Sequence, residues 1–311
     1  MPAVKLGLLC WNQNTDWRSL HEAGLRADRL GYDSLWAWDH LYPIVGDPDG
    51  PFYEGWLTIT AWAAGTQRIR VGLMVGANTL RNPGLTAKLA STLDHITGGR
   101  AVLGIGGAWF EREHEAYGID FGTGFGDRLD HLDEAVMLMR RLLDGERFSH
   151  EGRFYTFTDA LAEPKPIQAH LPILVGGSGP KKTLRTVALR ADAWNTSGWL
   201  DEVRTKVANL ERHCADVGRD PAAIERTISF PIIIRDHRAD AEAAFADLAG
   251  RNGSTNAGNV PHLFGSPAEI ADEIRPFKDE LRFRHVIVRL PAPHDRETID
   301  RIGEVRECLA V

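Results

Sequence analysis

Ile173-Leu174-Val175-Gly176-Gly177-Ser178-Gly179-Pro180-Lys181-Lys182 reads as a short apolar strand, a glycine turn and the opening of a helix. The aliphatic run suits a strand covered on both faces. The glycines free the backbone to turn sharply, and Pro180 sits without loss in the first turn of a helix. Strand, tight turn and helix form the unit of a parallel sheet, and that unit recurs along the chain. The candidate strands are Lys5–Leu9, Ser34–Trp38, Arg70–Val75, Ala101–Ile105, Ile173–Val175, Ala193–Thr196, Ile228–Ile234 and His285–Arg289. Helical spacing lies between them, as in Leu20, Ala23, Ala27 and Leu30, in Leu85, Leu89, Leu93 and Ile96, and in Leu129, Leu132, Val136, Met139 and Leu143. Strand–helix units in this number predict an α/β fold, a (β/α)8 TIM barrel, with an open doubly wound sheet as the alternative.

Two insertions interrupt the alternation, one after strand 4 and one near strand 7. Residues 107–172 are too long for a simple connection; they predict a helix from Asp127 to Leu143 and a small hairpin in Arg147–Tyr155. Arg251–Phe264 is rich in Gly and Asn and reads as a mobile loop before the final helix, either a lid or an ordinary surface loop. That helix opens on Ser266-Pro267-Ala268-Glu269, a capping box with proline at its first position.

The chain has 311 residues, 43% of them hydrophobic and 25% charged, which suits one barrel domain spanning 1–311 with a large core. A net charge of −7 speaks against nucleic acid as a partner. Cys10, Cys214 and Cys308 are scattered and read as free thiols. The opening MPAVKLGLLCW carries too short an apolar run for a signal peptide or a membrane span, so a cytoplasmic protein is expected.

Barrel enzymes place their chemistry just past the C-terminal ends of the strands. In this chain those positions are Cys10-Trp11-Asn12, Asp39-His40, Gly76-Ala77-Asn78, Gly106-Gly107-Ala108-Trp109, Gly176–Gly179 and Ser197-Gly198-Trp199. Trp11, Trp38, Trp109, Trp194 and Trp199 fall at or beside them, although Trp38 and Trp194 serve equally well as packing. An aromatic, glycine-rich mouth with few charges suits a flat conjugated ring. Glycine amides at a helix start suit a phosphate. His40 is a candidate for proton transfer. No HExxH, HxH or GxSxG occurs, and His114 lacks a second histidine at helical spacing, so neither a metal nor a serine nucleophile is expected.

The run Gly98-Gly99-Arg100-Ala101-Val102-Leu103-Gly104-Ile105-Gly106-Gly107-Ala108-Trp109-Phe110-Glu111-Arg112-Glu113-His114 resembles the luciferase-like monooxygenase superfamily. So do Ser34–His40, Leu80–Pro83, Glu163–Ile167, Val175–Gly179 and Phe264–Glu269, in the family's order along the chain. The chain looks most like the branch that uses deazaflavin coenzyme F420 for hydride transfer, with FMN-dependent two-component monooxygenases as the alternative. A silent relative that only binds a flavin or a partner is a third reading.

The resemblance implies a non-prolyl cis peptide near Met74-Val75-Gly76 behind the ring. It implies Gly106, Gly107, Ala108 and Trp109 along the cofactor, and its phosphate at Gly176-Gly177-Ser178-Gly179. Asp39 would lie against the ring, and His40 would be the proton donor or acceptor. Trp11, Asn12 and Trp199 would meet the substrate. A homodimer is also implied, with the helix near Asp94–Thr97 as one surface, although no apolar stripe beyond core needs is read there. One departure matters. The branch's sugar-phosphate dehydrogenases carry a glutamate where this chain has Ala108-Trp109, and no basic cluster is read at the mouth. An apolar or aromatic small-molecule substrate is therefore expected.

Overall fold

Every one of the candidate strands belongs to a single closed barrel in the computed structural model, which describes residues 3–252 and 260–310. The elements run β1 (Lys5–Cys10), α1 (Trp17–Arg29), β2 (Ser34–Ala37), α2 (Gly55–Gly65), β3 (Arg70–Leu73), β4 (Gly76–Ala77), α3 (Pro83–Thr97) and β5 (Ala101–Gly106). The insertion follows, with α4 (Glu111–Tyr117), α5 (Phe125–Leu143), β6 (Phe148–Glu151) and β7 (Thr156–Ala160). Then come β8 (Ile173–Gly176), α6 (Thr183–Arg190), β9 (Ala193–Thr196), α7 (Leu200–Asp216), β10 (Glu225–Ile234), α8 (Arg238–Arg251), β11 (Leu263–Gly265), α9 (Pro267–Asp279), β12 (His285–Leu290) and α10 (Arg296–Ala310).

The barrel closes in the order β1, β2, β3, β5, β8, β9, β10, β12 and back to β1, with every pairing parallel. β4 resumes the line of β3 against β5, and β11 adds to β10. Because successive side chains alternate, each strand buries one set inside the barrel and the other under the helices. The inner set forms a plug of Leu9, Trp36, Met74, Val102, Leu174, Ala193 and Ile287. The outer set joins the helices in the main core, where Trp194 lies fully buried against Phe283. Trp36, not Trp194, fills the barrel.

Local signals explain the element ends. Asp16 caps α1 by accepting from the Ser19 N–H, Asn82 caps α3 ahead of Pro83, and Ser266 with Glu269 forms the capping box of α9. The helix that opens on Ser266 is the penultimate one, since α10 follows β12. The hairpin lies slightly later than expected, its second strand being Thr156–Ala160. Residues 253–259 of the expected loop lie outside the described residues.

The inner face of α3 also departs in part from the leucine spacing. Thr86, Ala87, Ala90 and Ser91 face inward, while Leu85 is 51% and Ile96 42% exposed. Leu93 is buried with these small residues and Leu89 packs partly against the core, so only the two ends of the leucine spacing, Leu85 and Ile96, stand outside. On α2, which packs beside α3, Leu57 is 73% exposed. Among the described residues no helix is long and apolar enough to cross a membrane.

Candidate active site

A cavity of about 310 Å³ opens at the C-terminal mouth, walled by the ends of β2, β3, β5, β8 and β9. β3 stops at Leu73, the chain passes a cis peptide bond between Met74 and Val75, and pairing resumes at Gly76. The Val75 side chain lies against β5 and β8, where glycines make room for it. A Cβ on Gly106 would stand 2.8 Å from Val75, and one on Gly176 would stand 2.7 Å from it.

Past β8 the backbone turns at Gly177, whose φ of +116° favours glycine, and the Gly177 N–H donates to the Asn195 carbonyl at 3.2 Å. Among the described residues, the amides of Ser178, Gly179, Lys181 and Lys182 find no acceptor. α6 begins at Thr183, so Pro180 belongs to the preceding turn rather than to the first helical turn. A turn with unclaimed N–H groups at the head of a helix suits an anion.

Asp39 and His40 follow β2 and take opposite sides, as extended neighbours must. His40 lines the cavity, with its ring edge-on to Phe52, Trp109 and Phe110. Its Nδ1 stands 3.0 Å from Oε1 of Glu113, a fully buried carboxylate on α4 that also accepts the Leu41 N–H at 2.7 Å. A carboxylate acceptor keeps a proton on Nδ1 and fixes the ring's orientation. Nε2 has no protein partner among the described residues. This ring can therefore exchange a proton with a molecule in the cavity.

Asp39 lies behind the wall rather than on it. Its Oδ2 accepts from the Ala77 N–H at 2.9 Å and from Arg81 at 2.7 Å, and Arg81 also reaches Glu54 at 2.6 Å. Burial pushes the Asp39 carboxyl upward against the pull of Arg81. Its Oδ1 is buried without a partner, an opening for a ring N–H of a bound cofactor. The unclaimed amides at the head of α6, opening on an apolar cavity, fit a flavin-like phosphate ester.

Met74, Val75, Gly76, Gly106, Gly107, Ala108, Trp109, Gly176, Gly177, Ser178 and Gly179 all line the cavity with His40. Trp11, Asn12 and Trp199 do not. Trp11 is buried against Trp38, their rings 5.0 Å apart. Asn12 is fully buried, donating to the Trp38 and Tyr53 carbonyls and accepting the Trp38 N–H, so it ties strands together and is unavailable to a substrate. Trp199 is half exposed at the head of α7.

Sequence reasoning missed Glu113, Phe125 and Leu129, which the insertion brings to the site, and also Asn195. The four-residue spacing from Trp109 to Glu113, W-x-x-x-E, was the one available signal. The mouth is also not free of positive charge, since Arg289 ends β12 on its inner side.

A family model described as Luciferase-like monooxygenase matches residues 4–308. An uncharacterized protein of Mycobacterium tuberculosis (strain ATCC 25618 / H37Rv) is 31% identical over 248 residues, 77% of this chain and 81% of its own. An F420-dependent glucose-6-phosphate dehydrogenase of Intrasporangium calvum is 29% identical over 317 aligned positions, covering 92% of each chain. A solved F420-dependent secondary alcohol dehydrogenase, in complex with an F420-acetone adduct, shares the fold with a TM-score of 0.86 at 20% identity over 99% of each chain. By its match over nearly the whole length, the chain belongs to the luciferase-like monooxygenase family of enzymes.

Proposed function

We propose that this protein is a cytoplasmic oxidoreductase that passes a hydride between deazaflavin coenzyme F420 and a small organic substrate of apolar or aromatic character. His40 gives or takes the proton. The observation that carries this reading is the His40 ring, held on Nδ1 by Glu113 with Nε2 unclaimed beside the glycine cradle. The Intrasporangium calvum relative supports the choice of cofactor.

When bound, the deazaflavin supplies the hydride donor or acceptor. The amides of Ser178, Gly179, Lys181 and Lys182 hold its phosphate, and the backbone of Met74, Val75 and Gly76 backs the ring. Gly106, Gly107, Ala108 and Trp109 would line the ring's place in the cavity. A carbonyl that takes a hydride on carbon needs a proton on oxygen, which His40 delivers from Nε2; the reverse reaction returns it.

The family description also favours a second reading, an FMN-dependent two-component monooxygenase. Titrating the protein with F420 and with FMN, and following hydride transfer from reduced F420 with and without oxygen, separates the two. Tighter F420 binding and equal rates are expected. A strict oxygen requirement, with oxygen appearing in the product, would overturn the hydride-transfer reading.

The exposed Leu57, Leu85 and Ile96 on adjacent helices give a homodimer its surface. Light scattering should find twice the chain mass, and Leu57→Glu should return the monomer. A monomeric wild type would remove the proposal.

A further inference from the structure

The cavity beside His40 takes its walls from one side of the barrel mouth; β1, β10 and β12 make up the other side. The alternation of β12 turns His285, Ile287 and Arg289 inward. His285 bonds Ser34 at the floor, Ile287 belongs to the plug, and Arg289 stands above it, in register with Leu9 on β1 and Pro231 on β10. Nε and Nη2 of Arg289 are buried with no hydrogen-bond partner among the described residues. Among the described residues no carboxylate offsets the charge, and burial lowers the guanidinium to about 10.

Two other buried arginines have carboxylate partners, and a third, Arg128, whose Nε is also unpaired, lies over the Phe121 ring at 3.7 Å. Arg81 holds Asp39 and Glu54, and Arg226 holds Glu211 and the Leu281 carbonyl. Near Arg289, Nε2 of His262 is likewise buried without a partner among the described residues. Burial and then the charge of Arg289 hold His262 below the usual histidine range.

We propose that Arg289 is a specificity-determining residue that receives an anionic group of the substrate, so that the substrate is an organic acid, an apolar or aromatic body ending in a carboxylate. The inference rests on the mouth being the active site, not on which cofactor serves it. A guanidinium withdrawn from water without a counter-charge is costly, and it is retained where a ligand supplies the missing anion. Its planar fork matches a carboxylate with two parallel N–H···O bonds. β12 and β2 flank β1, so Arg289 and His40 stand two strand spacings apart across the sheet, roughly 10 Å, with His40 farther toward the mouth, four residues past Trp36, the residue level with Arg289. An aromatic acid with its reacting carbonyl at the far end spans that gap.

The test uses benzoate and benzamide, equal in shape and different in charge, titrated by calorimetry against the whole protein without cofactor. The wild type should bind benzoate about tenfold or more tighter than benzamide. Arg289→Met should erase that preference while keeping or raising the melting temperature, because it removes a cation that none of the described residues pairs. Arg289→Gln replaces it if the methionine variant does not fold. Equal binding of the two probes, binding of neither, or a preference that survives the substitution would overturn the proposal. So would a loss of F420 affinity by the same factor, which would assign Arg289 to the cofactor. A protein that prefers benzoate through Arg289 yet ignores F420 would keep this site and sink the cofactor reading instead.

Discussion

The two ends of the barrel carry similar residue types, yet only one has bonding capacity left over. At the floor lies the larger cavity, about 560 Å³, with Ser34 Oγ 2.7 Å from His285 Nε2 and His285 Nδ1 3.3 Å from Glu225. The order serine, histidine, carboxylate resembles a nucleophilic triad. The oxygen of Ser34 already accepts from Trp36 Nε1 at 2.7 Å, Ser34 is 1% exposed, and Lys5 holds Glu225 at 2.9 Å. Among the described residues none of these floor atoms lacks a partner.

At the mouth the histidine is held on one nitrogen only, and Asp39 Oδ1, Arg289 and several loop amides await partners. A satisfied network fixes structure, whereas an unsatisfied one implies a missing molecule. Residue type and cavity size would have chosen the wrong end.

Exchanging the two histidines tests this most severely. His40→Ala should slow single-turnover hydride transfer by about a hundredfold or more, with cofactor affinity little changed. His285→Ala should leave the rate within about twofold and lower stability by about 1–3 kcal/mol, from the hydrogen bonds it abandons. Fast turnover without His40, or lost turnover without His285, would erase the distinction between the ends.

Glu113 tests whether the unpaired nitrogen of His40 depends on the paired one. Glu113→Gln should reduce the rate by about tenfold, since an amide can present N–H to Nδ1 and reverse the ring's proton placement. An unchanged rate would make Glu113 a packing residue.

A pair of glycines sharpens the contrast further. Gly177→Val should weaken cofactor binding by about tenfold, roughly 1.4 kcal/mol, with the barrel still folded. At the floor, a Cβ on Gly7 would stand 2.4 Å from Ser34 Oγ, so Gly7→Ala should lower the melting temperature and leave affinity alone. Unaltered affinity in Gly177→Val would reduce the loop to a turn.

A further contrast lies in the floor's acid sensitivity. Burial alone would raise Glu225, but the hydrogen bonds from His285 and Lys5 outweigh it and bring the carboxyl from 4.5 to about 2. The folded carboxylate thus holds its charge to lower pH than the unfolded one. Stability from this group is complete above pH 4.5 and drains away toward pH 2, by on the order of 2 kcal/mol given its partial exposure. Melting curves of Glu225→Gln across that window should lack this component; identical slopes would count against the pairing.

The barrel was legible because strands buried on both faces read as apolar runs at regular intervals, and each of the eight was found within a few residues. The glycine cluster at the strand ends was visible in the sequence, but the packing of Val75 into the space at Gly106 and Gly176 was not, because that contact joins three strands. The inner face of α3 was legible in part: Leu93 and Leu89 turn to the core as the spacing implied, whereas Leu85 and Ile96 stand outside and small residues complete the face. Glu113 lies 73 residues from His40, and no local spacing can announce a contact that only an inserted helix creates. Arg289 was hidden for the opposite reason: within His285–Leu290 it looks like an ordinary polar residue of a strand, and only closure of the barrel leaves it facing inward without a partner.

Val75 occupies space that two strands give up together. Alanine at Gly106 or at Gly176 alone would collide with its side chain, yet the same alanine has room once Val75 is shortened. The three positions therefore have no independent tolerances: what is permitted at one depends on what stands at the others. Across descendants of this fold, substitutions here should arrive as linked sets, with the change at position 75 first. A library that randomises these sites singly would report a rigidity that paired substitutions would dissolve.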